Sequence, residues 1–360
     1  LDRHTLPSLA DPDAASLLRT AELLKNASRP LIMIGRVSAK QGDWNRRIVL
    51  AEKLGAHVLT DIKTGASFPT LHPCQPFPPT LYLTPEAGGL IRNADVILVL
   101  DWIDPAGTMR QACAGQFPNA KVILCSLDQY SHNGWSMDYQ SLPPADINLL
   151  CSPDRMVECL LQEIGDVPAK KPVTITRENV SAGPAIIGGR ISVEAMARTV
   201  VDTLAIEYPS YLRLPLGWPG SACCFNDPLD YIGFDGGGGI GSGPGMAVGA
   251  ALALRDMGSK RLPVAVLGDG DYLMGVTALW TAVHYCVPLL VVVANNRSFF
   301  NDELHQERMA RLRGRPIENR KACVHVRAGG VAVIDVSVAP EYARATSNAM
   351  LRQSAPGNVD

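Results

Sequence analysis

Six short stretches of this chain are apolar at consecutive positions: Pro30 to Gly35, Asp95 to Asp101, Lys121 to Cys125, Ile147 to Cys151, Leu262 to Leu267 and Leu289 to Ala294. A strand with alternating polarity hides one face and wets the other. A continuously apolar strand must be covered on both faces, which is the condition of a parallel sheet lying between helices. The intervening segments supply those helices. Ala14 to Asn26 places Leu17, Leu18, Ala21 and Leu24 on one side and can be capped by Asp11 or Asp13; Asp43 to Leu54 and Glu86 to Arg92 follow the same rule, with a strand at His57 to Thr60. The expected fold is α/β, built from doubly wound parallel sheets.

At 360 residues the chain can form about two such domains. The periodicity lapses around Lys170-Lys-Pro172 and Ser181-Ala-Gly-Pro184, which reads as a linker over 166–190. It separates a first domain, 1–165, from a second, 191–360, that opens with a helix over Val193 to Leu204. No repeat of solenoid period is present.

Lys and Arg number 33 against 35 Asp and Glu, a net charge of −2, so no basic stripe exists to offset phosphate charge and nucleic acid is excluded as a partner. No apolar run approaches the roughly 20 residues needed to cross a bilayer, and no signal-peptide pattern opens the chain. The nine cysteines are scattered without a CxxC pair, the usage of small buried hydrophobes in a reducing compartment. A soluble, cytoplasmic protein is expected. The first residue is Leu1 rather than Met, as in a fragment or a processed chain.

The segment richest in chemistry begins where the run Leu262 to Leu267 gives way to a tight turn, Gly268-Asp-Gly-Asp271. A helix from Gly275 to Cys286 and a second apolar strand follow, ending at Asn295-Asn296-Arg297-Ser298. In a βαβ unit the carboxyl ends of both strands share one edge of the sheet, where open α/β folds bind ligands. Asp269 and Asn296, 27 residues apart, thereby become neighbours. A carboxylate, an amide oxygen and the carbonyl of Ser298 form a half-shell of hard oxygen donors suited to Mg²⁺ that completes its sphere with water and phosphate. Gly268 and Gly270 let backbone N–H groups approach a phosphate without a Cβ in the way.

This conjunction resembles the thiamine diphosphate motif. A second feature agrees with it: Phe234-Asp-Gly-Gly-Gly-Gly-Ile-Gly-Ser-Gly-Pro-Gly245, leading into a helix over Met246 to Leu254, resembles the glycine-rich entry of the same domain in enzymes of the acetolactate synthase and benzoylformate decarboxylase type. The resemblance implies thiamine diphosphate and Mg²⁺ as cofactors. Asp269, Asn296 and the Ser298 carbonyl would hold the metal, and Gly268, Gly270 and Asp271 would meet the diphosphate through backbone N–H groups. The Asp271 carboxylate must then point away or face the metal. Gly238 and Ile240 fall where the family contacts the aminopyrimidine and wedges the cofactor into its bent shape. The glycines Gly236, Gly238 and Gly241 also satisfy GxGxxG, so a nucleotide-dependent oxidoreductase stands as a rival reading.

The resemblance further implies C–C bond cleavage or carboligation on a small-molecule 2-oxo acid. Its first domain would be the family's central domain, which in some members binds FAD or another nucleotide and in others is a spacer; no residue here supports FAD. Asp101 and Trp102 at a strand end, and His132, His284 and His305 as acid–base groups, are further candidates. In the family a preceding pyrimidine-binding domain supplies the activating glutamate, and the site lies between subunits. No residue of this chain takes the glutamate's role, so the catalytic residues are unassigned. A homo-oligomer, or a partner chain carrying the missing domain, is expected, with a catalytically silent paired subunit as the alternative. After about residue 320 the second domain looks shortened by one α/β unit.

Overall fold

Every one of the continuously apolar runs is a strand, and each lies in a parallel sheet. The computed structural model describes residues 8–128, 142–175, 183–215, 217–234, 240–315 and 333–338. The chain forms two units. One comprises Leu1–Pro79, Leu83–Glu178 and Cys224–Pro228; the other comprises Thr80–Tyr82, Asn179–Cys223 and Leu229–Asp360.

The first unit runs α1 (Ala14–Asn26), β1 (Pro30–Ile34), α2 (Gln41–Leu54), β2 (His57–Thr60), α3 (Pro85–Asn93), β3 (Val96–Leu100), α4 (Pro105–Ala112), β4 (Lys121–Ser126), β5 (Ile147–Leu150) and α5 (Pro153–Ile164). Its five strands pair in parallel in the order β2-β1-β3-β4-β5. Successive residues point to opposite faces. Ile32, Ile34, Leu98, Leu100 and Ile123 pack against α1, α2 and α5, while Leu31, Met33, Ile97, Val99 and Leu124 pack against α3 and α4. Both faces of β1, β3 and β4 are buried, as the unbroken runs require, while at the edge strand β5 Asn148 and Leu150 are exposed.

Short polar residues start the helices. Asp13, rather than Asp11, caps α1 by accepting the Ser16 N–H at 2.9 Å, and Asp104 caps α4 by accepting the Gly107 N–H at 2.9 Å ahead of Pro105. Within this unit Thr70 also exchanges hydrogen bonds with Phe225: its N–H donates to the Phe225 carbonyl and its Oγ1 accepts the Phe225 N–H, each at 3.0 Å.

In the second unit a two-residue antiparallel pair, β6 (Ile186–Ile187) and β7 (Arg190–Ile191), precedes α6 (Val193–Leu204), β8 (Pro209–Arg213), α7 (Gly243–Asp256), β9 (Leu262–Gly268), α8 (Asp269–Gly275), α9 (Ala278–His284), β10 (Leu290–Asn295), α10 (Phe300–Leu312) and β11 (Val333–Ser337). The parallel order is β11-β10-β9-β8. Ala247, Ala251 and Leu254 of α7 and Leu279 and Ala282 of α9 cover one face, over Leu212, Ala265, Leu267, Val291 and Val293.

Two local expectations need correction. Gly268-Asp-Gly-Asp271 is not a free turn: Gly268 is extended and residues from Asp269 onward form the first turn of α8, where the carboxylates of Asp269 and Asp271 complement the helix dipole. The helix expected over Gly275 to Cys286 is the shorter α9, Ala278–His284, parted from α8 by Val276 and Thr277. Among the described residues no helix is long and apolar enough to cross a membrane.

Candidate functional site

At the carboxyl edge of the second sheet, Ala294 of β10 lies in register beside Gly268 of β9. Asp269 follows Gly268 directly, and Asn296 lies two residues beyond Ala294. The backbone N–H groups of Gly270 and, from the loop after β10, of Arg297 and Ser298 are near enough to the Asp269 carboxylate to act on its charge. These contacts favour the ionised form, yet burial outweighs them and pushes the Asp269 carboxyl above its ordinary range. A half-buried carboxylate left undercompensated by its own neighbours is one that a cation would relieve.

The loop after β10 is shaped by its own side chains. Asn295 Oδ1 accepts the Arg297 N–H at 3.0 Å and Asn296 Oδ1 accepts the Ser298 N–H at 2.9 Å, with Arg297 at φ 57° between them. Ser298 Oγ donates to Glu303 Oε1 at 2.5 Å and ties the loop to α10. A Cβ on Gly268 would meet nothing within 4 Å, so the backbone there opens onto free space. Gly270 is small for another reason: a Cβ would stand 2.3 Å from the Phe299 ring. The segments that end at this edge carry a carboxylate at Asp269, an amide at Asn296 and the backbone carbonyl of Ser298, oxygen donor types of the kind that Mg²⁺ takes. Among the described residues no cluster of three or more His, Cys, Asp or Glu side chains forms.

Asp271 turns away from this edge. Its Oδ1 accepts the N–H groups of Gly241 at 2.6 Å and Gly243 at 3.1 Å, and its Oδ2 lies 3.5 Å from Nε of Arg213, which is buried at the end of β8. The Arg213 guanidinium in turn lies 3.6 Å over the Phe234 ring. Arg213 escaped the sequence reading; a cation inside the short run Tyr211 to Leu214 was the available signal. Ile240 is exposed at the start of this segment, whereas Gly236 and Gly238 lie outside the described residues. A dinucleotide loop would need a strand running straight into its glycines. Here the preceding residues make a turn and one isolated bridge, Tyr211 to Tyr231.

In the first unit, β1 and β3 flank the point where strand order reverses. Asp101, at φ 51° just past β3, is held there by Arg36 Nη2 at 2.8 Å and Ser126 Oγ at 2.6 Å. Trp102 is buried in the core with Nε1 donating to Thr108 Oγ1 at 2.9 Å, a packing role rather than a ligand contact. His284 stacks on exposed Trp280 with ring centroids 4.6 Å apart, and His305 is exposed on α10. His132 lies outside the described residues.

Comparison with known proteins matches this layout. The model described as "Thiamine pyrophosphate enzyme, central domain" matches residues 17–133, and "Thiamine pyrophosphate enzyme, C-terminal TPP binding domain" matches 217–360. The chain is 25% identical over 291 residues to the acetolactate synthase isozyme 3 large subunit of Escherichia coli (strain K12), covering 78% of this chain and 49% of that protein. It is 26% identical over 300 residues to benzoylformate decarboxylase of Pseudomonas aeruginosa, covering 80% and 52%. The chain thus spans about half the length of the curated relatives it matches. Among solved structures, benzoylformate decarboxylase from Polynucleobacter necessarius superimposes with a TM-score of 0.72 at 18% identity, over 94% of this chain and 67% of that one, which places the fold. The chain belongs to the thiamine pyrophosphate enzymes, of which it carries the central domain and the C-terminal TPP-binding domain.

Proposed function

We propose that this chain binds thiamine diphosphate together with Mg²⁺ and forms the diphosphate-side half of an enzyme that cleaves or joins the C–C bond beside the carbonyl of a 2-oxo acid. The observation that carries this reading is the approach of the half-buried Asp269 carboxylate to the backbone of Arg297 and Ser298. Asp269, Asn296 and the Ser298 carbonyl would hold Mg²⁺, and the backbone N–H groups of Gly268, Gly270 and Asp271 would orient the diphosphate. Gly238 and Ile240 would seat the aminopyrimidine. When bound, the cofactor supplies a carbon nucleophile for the substrate carbonyl and a sink for the electrons released with CO₂. The chain's own contribution is to bind, to orient and to neutralise phosphate charge.

Residues 1–165 would serve as the central domain and 191–360 as the cofactor domain, with a second copy or a partner chain completing the site. Exposed apolar side chains on α8 and α9, Met274 at 62% and Trp280 at 66%, support an assembled state. The Sγ atoms of Cys125 and Cys151 meet at 3.5 Å as thiols rather than as a disulfide, which supports a reducing, cytoplasmic setting. A catalytically silent paired subunit is the second reading.

Calorimetric titration of the folded chain with thiamine diphosphate, in Mg²⁺ and again in EDTA, tests the proposal. Binding that requires Mg²⁺ is the expected result, and absence of binding in a folded chain overturns it. Turnover of 2-oxo acids by the chain with its partner then separates enzyme from silent subunit.

A further inference from the structure

The Asp271 carboxylate, in the first turn of α8, joins that helix to the start of α7. Its Oδ1 collects the N–H of Gly243, the first residue of α7 and a donor that the helix itself leaves without a partner, and the N–H of Gly241, just ahead of the N-cap Ser242. The fit is close. A Cβ on Gly243 would lie 2.2 Å from Asp271 Oδ2, and one on Gly275, at the far end of α8, would lie 2.2 Å from the Gly241 carbonyl. Gly241 itself sits at φ +100° with Met274 of α8 against it. Arg213, closed off from water, is near Oδ2 and is itself braced by Phe234, so the carboxylate has charge support behind it.

We infer that Asp271 is a positioning residue: its carboxylate fastens the segment Gly241–Gly243, and with it the adjoining Ile240, to the helix whose first residue is Asp269. The side chain itself contacts neither metal nor phosphate. The two ends of the cofactor site would be held in register by one acceptor oxygen, formed within the chain before any ligand arrives. The consequence for cofactor affinity rests on the proposed function; the fastening does not.

Amide hydrogen exchange on the full chain, without cofactor, reads the fastening directly. In Asp271→Ala the exchange at Gly241 and Gly243 should rise at least tenfold while amides of β9 and β10 keep their rates. Asp271→Asn, which retains the acceptor oxygen, should stay within threefold of the parent chain. Asp271→Ser, whose hydroxyl is too short to reach both glycines, replaces the alanine variant if that fails to fold, with the same expectation. Unchanged exchange at the two glycines overturns the inference, as does a uniform rise across β9 and β10, which would mark Asp271 as a general stabiliser. In Mg²⁺, thiamine diphosphate affinity should fall at least tenfold in Asp271→Ala and no more than threefold in Asp271→Asn. If the parent chain binds no thiamine diphosphate, the proposed function fails, while the exchange result still decides the inference.

Discussion

Arg47 Nη1 lies 2.6 Å from Asp154 Oδ1, joining α2 to the start of α5 with the guanidinium only 1% exposed. The rest of the guanidinium is also occupied: Nε donates to the Ser67 carbonyl at 2.9 Å and Nη2 to the Ser38 carbonyl at 3.1 Å, while Asp154 Oδ2 accepts the Ser38 N–H at 2.7 Å. Burial nevertheless dominates at both partners, pulling the Arg47 pKa down and pushing the Asp154 pKa up. Desolvation therefore exceeds what the pairing returns, and the pair fixes geometry more than it adds stability. Arg47→Met alone should destabilise the chain by about 3–5 kcal/mol, because Asp154 is stranded. Arg47→Met combined with Asp154→Leu should recover most of that loss. Urea unfolding of the two variants decides the point; equal losses in both would refute it.

Acidification should weaken the first unit through His57. Its Nε2 lies 2.8 Å from the Val173 carbonyl, and burial holds its pKa below the ordinary 6.5. An unfolded chain binds a proton there as pH falls through about 6.5, whereas the folded chain takes it up only at lower pH, so stability declines across that window as pH drops. His57→Gln should flatten this slope without altering stability at pH 8, as followed by denaturation at several pH values.

A functional carboxylate held in an unfavourable state should trade stability for binding. In metal-free buffer Asp269→Asn should be as stable as the parent chain or more so, since the variant removes a charge that burial disfavours. The parent chain should gain melting temperature with thiamine diphosphate and Mg²⁺, because ligands that bind only the folded state stabilise it, and the variant should not. A full ligand-induced shift in Asp269→Asn would remove Asp269 from the metal site.

Gly270→Ala tests the other small residue of the motif. With its new Cβ 2.3 Å from the Phe299 ring, the variant should lose about 1–3 kcal/mol by overpacking. Phe299→Leu in the same chain should restore at least half of the loss, measured as a double-mutant cycle.

The parallel sheets were legible because most of their strands carry a run of consecutive apolar residues, a pattern few other elements share. β8 was not: Ser210 and Arg213 interrupt Pro209 to Arg213, and both are buried by tertiary contacts that no local pattern encodes. α10 escaped as well, since Phe300–Leu312 is polar on all sides and has no buried residue to set a period. Asp269 and the Asn296–Ser298 loop could be brought together on paper because a βαβ unit fixes where both strands end. The partners of Asp271 could not, because Gly241 lies 30 residues upstream in a glycine segment with no pattern to read.

The bonds between Thr70 and Phe225 make the first unit a matter of timing. A chain synthesised from its amino terminus can assemble all five strands and α5 once Ile164 has emerged. The short segment Cys224–Pro228 that belongs to the same unit is made only after α6 and β8 of the other have been produced. No single cut in the polypeptide releases both units whole. A fragment ending at the close of the linker would carry the first sheet complete and its last seam unsewn.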